Sequence, residues 1–264
     1  MKLLLTGAAG RIGRALRPTL RERVDLLRVA DISEVDPEDE REEALSFDLA
    51  EFERVLDAAR GMDAVVHLGA IASEDAFERL LEANIRGTYN VFEAARLADV
   101  RRVVFASSNH ATGFYRRGDR ISPSIRPRPD SLYGVTKVFG EVLGSLYADK
   151  FGLEVVCLRI GSFAEAPPLG RSTLPMWLSP PDAVRLFWAA LTAPQVRFEV
   201  VYGVSDTGQS WWDNQGAARI GYVAEDSVEC ARVAEANALH ERQGDVFTDA
   251  DRHGGARSRE DTPG

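Results

Sequence analysis

The chain of 264 residues contains only two cysteines, Cys157 and Cys230, which are too few for a disulfide framework or a cysteine zinc site. No apolar run reaches the ~18 residues that a membrane-spanning helix requires. Acidic residues outnumber basic ones, 41 against 32, so the formal net charge is −9. This balance argues against nucleic acid as the main partner. We therefore expect no nucleic-acid partner, no membrane, no metal and a cytoplasmic location.

The order of apolar and amphipathic segments predicts the fold class. Short apolar runs alternate with longer segments of helical periodicity, as in βαβ units. We therefore predict an α/β protein with a Rossmann-type, doubly wound parallel sheet of about seven strands. The strands are expected at residues 2–6, 26–30, 44–47, 64–68, 102–107, 153–160 and 198–202. The helices are expected at residues 11–22, 76–82, 87–98, 131–150, 182–191 and 227–238.

Composition changes towards the C-terminus. Residues 1–240 are expected to form a single domain, with a small C-terminal substrate-binding portion mainly in residues 163–240. Segments 113–130 and 163–182 are rich in proline and are predicted to be loops. Residues 241–264 have many charges and almost no large apolar side chain, which is typical of a disordered tail.

A glycine-rich turn follows the first predicted strand. Residues 6–13 read Thr-Gly-Ala-Ala-Gly-Arg-Ile-Gly, so Gly7, Gly10 and Gly13 have the spacing G-x-x-G-x-x-G. Glycines at such a turn let the backbone approach a diphosphate, and the helix N-terminus then faces it with free N–H groups. We expect Arg11 to face the diphosphate as well. A glycine turn without any ligand is the alternative.

An acidic residue sets the expected cofactor preference. Asp31 closes the second predicted strand, 18 residues after Gly13. A carboxylate there accepts hydrogen bonds from the adenosine ribose and repels a 2′-phosphate, which favours NAD over NADP. Further along, Asp48 could accept a hydrogen bond from the adenine amine, and Leu49 could cover the adenine ring. Asp48 could instead cap the helix after it.

Catalytic candidates follow later strands. Tyr133 and Lys137 are four residues apart on a predicted helix and so share a face. A lysine ammonium beside a tyrosine favours the phenolate, which can then remove a proton from an alcohol. Ser108 ends the fifth strand and could bond the same substrate oxygen. Asn84 could hold a water or backbone group near the lysine, whereas His67 is expected to be a core residue.

These residues together resemble the extended short-chain dehydrogenase/reductase superfamily, from residue 1 to about residue 240. The matching parts are the turn 6–13, the set Ser108, Tyr133 and Lys137, and the segment 84–95. Four segments are similar to the uronate dehydrogenase family: 105–110 (FASSNH), 132–135 (LYGV), 158–162 (LRIGS) and 211–214 (WWDN). The resemblance implies NAD as cofactor and a hexuronate as substrate, oxidised at C1 to the aldarolactone. It also implies a homo-oligomer, a trimer or a hexamer.

The resemblance also assigns residues. It implies that Arg171 binds the substrate carboxylate, and one departure is Ala72, where the family usually has a serine that contacts substrate. The implied substrate-binding residues are Ser73, Ser108, Asn109, His110, Tyr133, Ser162 and Arg171. The expected cofactor-binding residues are Gly7, Gly10, Arg11, Ile12, Gly13, Asp31, Ile32, Ser33, Asp48, Leu49, Leu68, Gly69, Ala70, Tyr133, Lys137 and Ile160.

Other functions on the same scaffold remain open at the level of sequence. A sugar-nucleotide epimerase or dehydratase is one, although the C-terminal portion is short for a nucleotide substrate. A dehydrogenase for a neutral sugar is another, and an NAD-sensing regulator is a third. His110 could bond a substrate hydroxyl or be a structural loop residue. The Trp-Trp-Asp-Asn segment is expected to be an anchor rather than part of the chemistry.

Overall fold

The computed structural model describes residues 1–117, 119–168 and 173–228. Its strands are β1 (Lys2–Thr6), β2 (Leu26–Asp31), β3 (Glu42–Ser46), β4 (Ala64–His67), β5 (Arg102–Ser108), β6 (Glu154–Ile160), β7 (Ser162–Phe163), β8 (Trp177–Leu178) and β9 (Phe198–Gly203). Seven of them form a parallel sheet in the order β3-β2-β1-β4-β5-β6-β9, and β7 pairs with β8 alone. The predicted Rossmann-type sheet is confirmed.

The helices connect these strands. They are α1 (Arg11–Arg23), α2 (Phe52–Ala59), α3 (Phe77–Leu80), a π-helical segment (Leu81–Arg86), α4 (Gly87–Leu97), α5 (Leu132–Phe151) and α6 (Pro180–Thr192). The hydroxyls of Ser131 and Ser179 cap α5 and α6, by accepting from backbone N–H groups at 3.0 and 3.1 Å. In the described part of the chain, no helix combines the length and the apolar character needed to cross a membrane. The helix predicted at 227–238 and the tail 241–264 fall, from residue 229 onwards, outside the described residues.

Two hydrophobic clusters cover the two faces of the sheet. One includes Leu16 of α1 and Phe187 of α6. The other includes Val55 of α2, Phe92 of α4 and Tyr147 of α5. A parallel sheet buried on both faces leaves the carboxyl ends of its strands as the place for a ligand.

The Trp-Trp-Asp-Asn segment anchors the C-terminal portion to the sheet. Trp212 stacks on Tyr202 of β9, with the ring planes 3° apart and the centroids 4.5 Å apart. The side chain of Asn214 accepts from the backbone N–H of Tyr202 at 2.9 Å and donates to its carbonyl at 2.6 Å. Ile121 donates to the Trp211 carbonyl at 3.2 Å, so the segment also holds the loop after β5.

Candidate active site

A cavity of about 1210 Å³ lies at the carboxyl ends of the strands. Its wall includes Gly7 after β1, Asp31 at the end of β2, Ser108 at the end of β5 and Ile160 at the end of β6. Every residue that the sequence predicts for cofactor binding lies on this wall. The doubly wound topology therefore brings segments more than 150 residues apart in sequence to one place.

The glycine turn brings α1 close to the sheet. Gly7 has a φ of +73°, and a Cβ there would lie 2.6 Å from the backbone nitrogen of Gly69. A Cβ on Gly13 would lie 2.4 Å from the Gly7 carbonyl oxygen. The N-cap residue of α1 is Gly10, which has no side chain to cover the helix end. The positive end of α1 thus faces the cavity, as a dinucleotide diphosphate requires.

The Asp31 carboxylate is held in a fixed orientation. One of its oxygens accepts from the backbone N–H of Ala9 at 2.9 Å, and the other accepts from Ser33 at 3.0 Å. The carboxylate therefore joins the glycine turn to the segment after β2. A negative charge at this point suits a ribose diol and opposes a 2′-phosphate.

Arg11 lies on the cavity wall but reaches across to another segment. Its guanidinium donates to the Phe163 carbonyl at 3.0 Å and lies 5.7 Å from the centroid of the Phe163 ring. The sequence predicted that Arg11 faces the diphosphate. The observed contact joins the glycine turn to β7, beside the predicted substrate-binding portion, and the role of Arg11 at the diphosphate stays a prediction.

Tyr133 and Lys137 lie together at the start of α5. Both are buried, and the Lys137 ammonium is 5.5 Å from the centroid of the Tyr133 ring. It is also 5.3 Å from the centroid of the Phe105 ring. Burial lowers the pKa of Lys137 to about 8, because an ammonium group is poorly solvated there. A positive charge beside the phenol favours its ionised form.

The end of β5 contributes polar groups to the same wall. Ser108 Oγ accepts from the backbone N–H of His110 at 3.2 Å. Asn109, His110 and Ser162 also line the cavity. His110 Nδ1 lies 2.9 Å from the buried carboxylate of Asp130. Most of the predicted substrate-binding residues therefore line the same cavity as Tyr133.

Of the predicted substrate-binding residues, Ser73 lies off the cavity wall and Arg171 is not among the residues that the structure describes. Ser73 is exposed and is not part of the cavity wall, whereas its neighbour Ala72 is. Arg171 lies outside the described residues, as does the rest of 169–172. On either side of that gap, Phe163, Thr173 and Met176 reach the cavity.

Asn84 lies behind the cavity wall, in the π-helical segment. Its carboxamide accepts from the Ile71 backbone N–H at 2.8 Å and donates to the Ile71 carbonyl at 3.0 Å. It also donates to Thr136 Oγ1 at 3.0 Å. Because Ile71 lines the cavity and Thr136 belongs to α5, Asn84 ties the cavity wall to the helix of Tyr133 and Lys137.

Sequence reasoning missed Glu74. Its carboxylate accepts from the backbone N–H groups of Leu132 and Tyr133 at 3.1 and 2.9 Å, at the N-terminus of α5. A carboxylate at a helix N-terminus is stabilised by the helix dipole. No local pattern indicates this contact, since its partners are 58 and 59 residues further along the chain.

His67 is a core residue, as predicted. Its Nδ1 lies 2.8 Å from Thr6 Oγ1 and its Nε2 lies 3.2 Å from Thr88 Oγ1. Burial, together with the charge of Lys137, lowers the pKa of His67 to about 3, so the ring is neutral. Over the described residues, no group of three or more His, Cys, Asp or Glu side chains could hold a metal ion.

Comparison with known proteins finds a matching family model, similar proteins and similar solved structures. The model of the NAD dependent epimerase/dehydratase family matches residues 3–165. The uronate dehydrogenase of Pseudomonas putida is 45% identical over 234 residues, which cover 88% of this chain and 87% of that protein. A mutant uronate dehydrogenase from Agrobacterium tumefaciens complexed with NAD has a TM-score of 0.92 at 39% identity, covering 99% and 98% of the two chains. The L-arabinose 1-dehydrogenase (NAD(P)(+)) of Haloferax volcanii is 39% identical over 204 residues, or 69% of this chain and 78% of that one.

Proposed function

The chain belongs to the NAD dependent epimerase/dehydratase family, and from this premise we propose that it oxidises hexuronates with NAD. The substrates are D-glucuronate and D-galacturonate, and the product is the aldarolactone. The observation that carries the proposal is the 45% identity to a uronate dehydrogenase over nearly the whole of both chains. The cavity at the strand ends supports it, because it is lined by the residues that this chemistry needs.

The residues on the wall fit NAD. The uncapped end of α1 suits the diphosphate, and Asp31 suits the adenosine ribose. When bound, NAD supplies the hydride acceptor. Asp48 and Leu49 are proposed to hold the adenine, and Leu68, Gly69 and Ala70, which line the same cavity, are proposed to contact the cofactor as well. The remaining contacts are proposed for Gly7, Gly10, Arg11, Ile12, Gly13, Ile32, Ser33 and Ile160.

Tyr133 is the proposed base. A cyclic uronate presents a hemiacetal hydroxyl at C1, and loss of the C1 hydrogen as hydride gives the lactone directly, so its oxidation needs no cysteine nucleophile. As hydride leaves C1, the phenolate of Tyr133 takes the proton of the C1 hydroxyl, and the C1–O bond becomes the lactone carbonyl. Lys137 favours the phenolate, and Ser108 bonds the same oxygen.

The other substrate contacts are proposals of the same kind. Asn109, His110 and Ser162 bond ring hydroxyls, and Arg171 binds the carboxylate, for which a guanidinium is well suited. Ser73 is the weakest assignment because Ala72, not Ser73, reaches the wall. Asn84 is a positioning residue, since it holds Ile71 and Thr136 in place.

A dehydrogenase for a neutral sugar is the second candidate. The L-arabinose 1-dehydrogenase relative favours it, and so does Ala72, which stands where the family resemblance implies a serine that contacts substrate. We also propose a cytoplasmic homo-oligomer, either a trimer or a hexamer. The exposed apolar side chains Val135, Val142 and Leu146, all on α5, support self-association, which light scattering of the purified chain would measure.

The decisive experiment follows NADH at 340 nm. D-glucuronate and D-galacturonate are offered with NAD, D-glucose and L-arabinose serve as neutral controls, and NADP replaces NAD in a parallel series. We expect turnover of the uronates only, with little from NADP. The variant Arg171→Gln should lose activity on uronates, while Arg126→Gln, in a different loop, should not. Folded protein that binds NAD but turns over only neutral sugars would select the second candidate.

A further inference from the structure

His110 and Asp130 form a pair on the cavity wall. The two Asp130 oxygens lie 2.9 and 3.1 Å from His110 Nδ1. The Asp130 side chain is fully buried, whereas 12% of the His110 side chain is exposed and lines the cavity. The His110 ring meets the Tyr133 ring edge-on, with 5.8 Å between centroids. A buried carboxylate therefore orients an imidazole next to the proposed base.

Two glycines allow the pair to lie there. A Cβ on Gly113 would lie 1.9 Å from an Asp130 carboxylate oxygen. A Cβ on Gly134, in the first turn of α5, would lie 2.6 Å from the His110 carbonyl oxygen. Any side chain at either position would push His110 or Asp130 away from Tyr133. The close packing on both sides indicates that the position of this pair is closely defined.

The partner of Nδ1 decides what the other ring nitrogen can do. An ionised carboxylate only accepts hydrogen bonds, so the neutral imidazole must carry its proton on Nδ1. Nε2 then has a free lone pair and is an acceptor. Because Nδ1 faces the buried carboxylate, the exposed edge of the ring is the one away from Nδ1. A hydroxyl group of a sugar is a donor of the right kind for that edge.

We propose that Asp130 is a positioning residue that fixes His110 as an acceptor for one ring hydroxyl of the sugar. This rests on the proposed function and deepens it, since it assigns how the cavity selects among uronates. This hydroxyl is not the one at C1, which is proposed to give its proton to Tyr133. Uronates with a hydroxyl facing His110 should bind well, and epimers that turn it away should bind poorly.

The test combines a spectroscopic and a kinetic measurement on the full chain. Protein labelled with ¹⁵N-histidine reports by NMR which ring nitrogen of His110 carries the proton, without any substrate. Kinetics give kcat and KM for D-glucuronate, D-galacturonate and D-mannuronate at saturating NAD, and calorimetry gives the Kd of NAD. The variants are Asp130→Ala, Asp130→Asn and His110→Gln. Asp119→Asn is the matched control, because Asp119 is an exposed carboxylate of the same loop.

For Asp130→Ala we expect the proton to move to Nε2 and KM for the preferred uronate to rise at least tenfold. We expect kcat to change less than threefold and the Kd of NAD less than twofold. Asp130→Asn, whose amide oxygen still accepts from Nδ1, should recover most of the affinity, and His110→Gln should raise KM like Asp130→Ala. Asp119→Asn should resemble the unaltered chain.

An unchanged KM in Asp130→Ala, or a proton that stays on Nδ1, would overturn the proposal. A parallel loss of kcat, KM and NAD affinity would do the same, because it would make Asp130 a residue of the fold alone. Failure of the proposed function gives a different result. The unaltered chain would then oxidise no uronate, whichever ring nitrogen of His110 carries the proton.

Discussion

Replacement of Lys137 by methionine is expected to stabilise the protein while abolishing its activity. Lys137 is buried, and burial lowers its pKa from 10.5 to about 8. At roughly 1.4 kcal/mol for each pKa unit, this difference corresponds to about 3 kcal/mol by which the charged group weakens the folded state. Methionine has a similar length and no charge, so it fills the same space without that penalty.

The size of the effect depends on pH in a defined direction. Below pH 8 the lysine is charged in both the folded and the unfolded chain, so the full penalty is present. Between pH 8 and 10.5 the unfolded chain binds more protons than the folded one, and the stability of the unaltered protein rises with pH. Above pH 10.5 the group is neutral in both states. The advantage of Lys137→Met should therefore be about 3 kcal/mol at pH 7 and should shrink towards zero near pH 10.5.

Urea unfolding without NAD, followed by far-UV circular dichroism at pH 7 and pH 10, measures this difference. In a thermal scan at pH 7, the midpoint should rise by roughly 5 °C or more for a chain of this size. Lys150→Met is the matched control, because Lys150 is exposed near the end of the same helix and should gain almost nothing. A Lys137→Met protein that is less stable than the unaltered chain at pH 7, or equally stabilised at both pH values, would refute the argument from burial.

Three further substitutions test the site. Tyr133→Phe should lower kcat by about 10²–10⁴-fold with NAD binding intact, since the variant lacks the proposed base; substantial turnover would exclude Tyr133 from this role. Gly13→Ala should weaken NAD binding more than tenfold in calorimetry, because the new Cβ would lie 2.4 Å from the Gly7 carbonyl oxygen; undiminished affinity would contradict the close packing of the turn. Asp31→Asn should reduce the preference for NAD over NADP, measured as the ratio of kcat/KM, by about tenfold, as the neutral amide no longer repels a 2′-phosphate; an unchanged ratio would locate the discrimination elsewhere.

Most of the fold could be predicted because its local signals agree with its tertiary structure. Apolar strands and amphipathic helices alternate, and that alternation specifies a parallel sheet. Exceptions have physical causes. The third strand begins at Glu42, two residues before the predicted start, because the buried carboxylate of Glu42 is paired with Arg17 at 2.9 Å. The predicted helix 76–82 continues as a π-helical segment that holds Asn84 against Ile71.

The site was predictable where its residues are close in sequence. The glycine turn and the pair Tyr133 and Lys137 are short patterns with a fixed spacing. Glu74 and Asp130 carry no such pattern, because each acts on a partner from another part of the chain. Arg11 was assigned by its position in the turn, yet its long side chain reaches Phe163, 152 residues away. Local sequence patterns do not predict the long-range contacts of single polar side chains.

The placement of β9 has a consequence for synthesis of the chain. Every residue proposed for NAD binding precedes residue 161, whereas β9, which completes the sheet beside β6, spans Phe198–Gly203. Because the chain is synthesised from its N-terminus, all residues proposed for NAD binding are present while β6 is still an unpaired edge of the sheet. A ligand that binds a folded state stabilises it, so NAD can support the nascent protein before Ser162 and Arg171 complete the proposed sugar site. Supply of the cofactor would then influence how much chain reaches the finished fold, independently of catalysis.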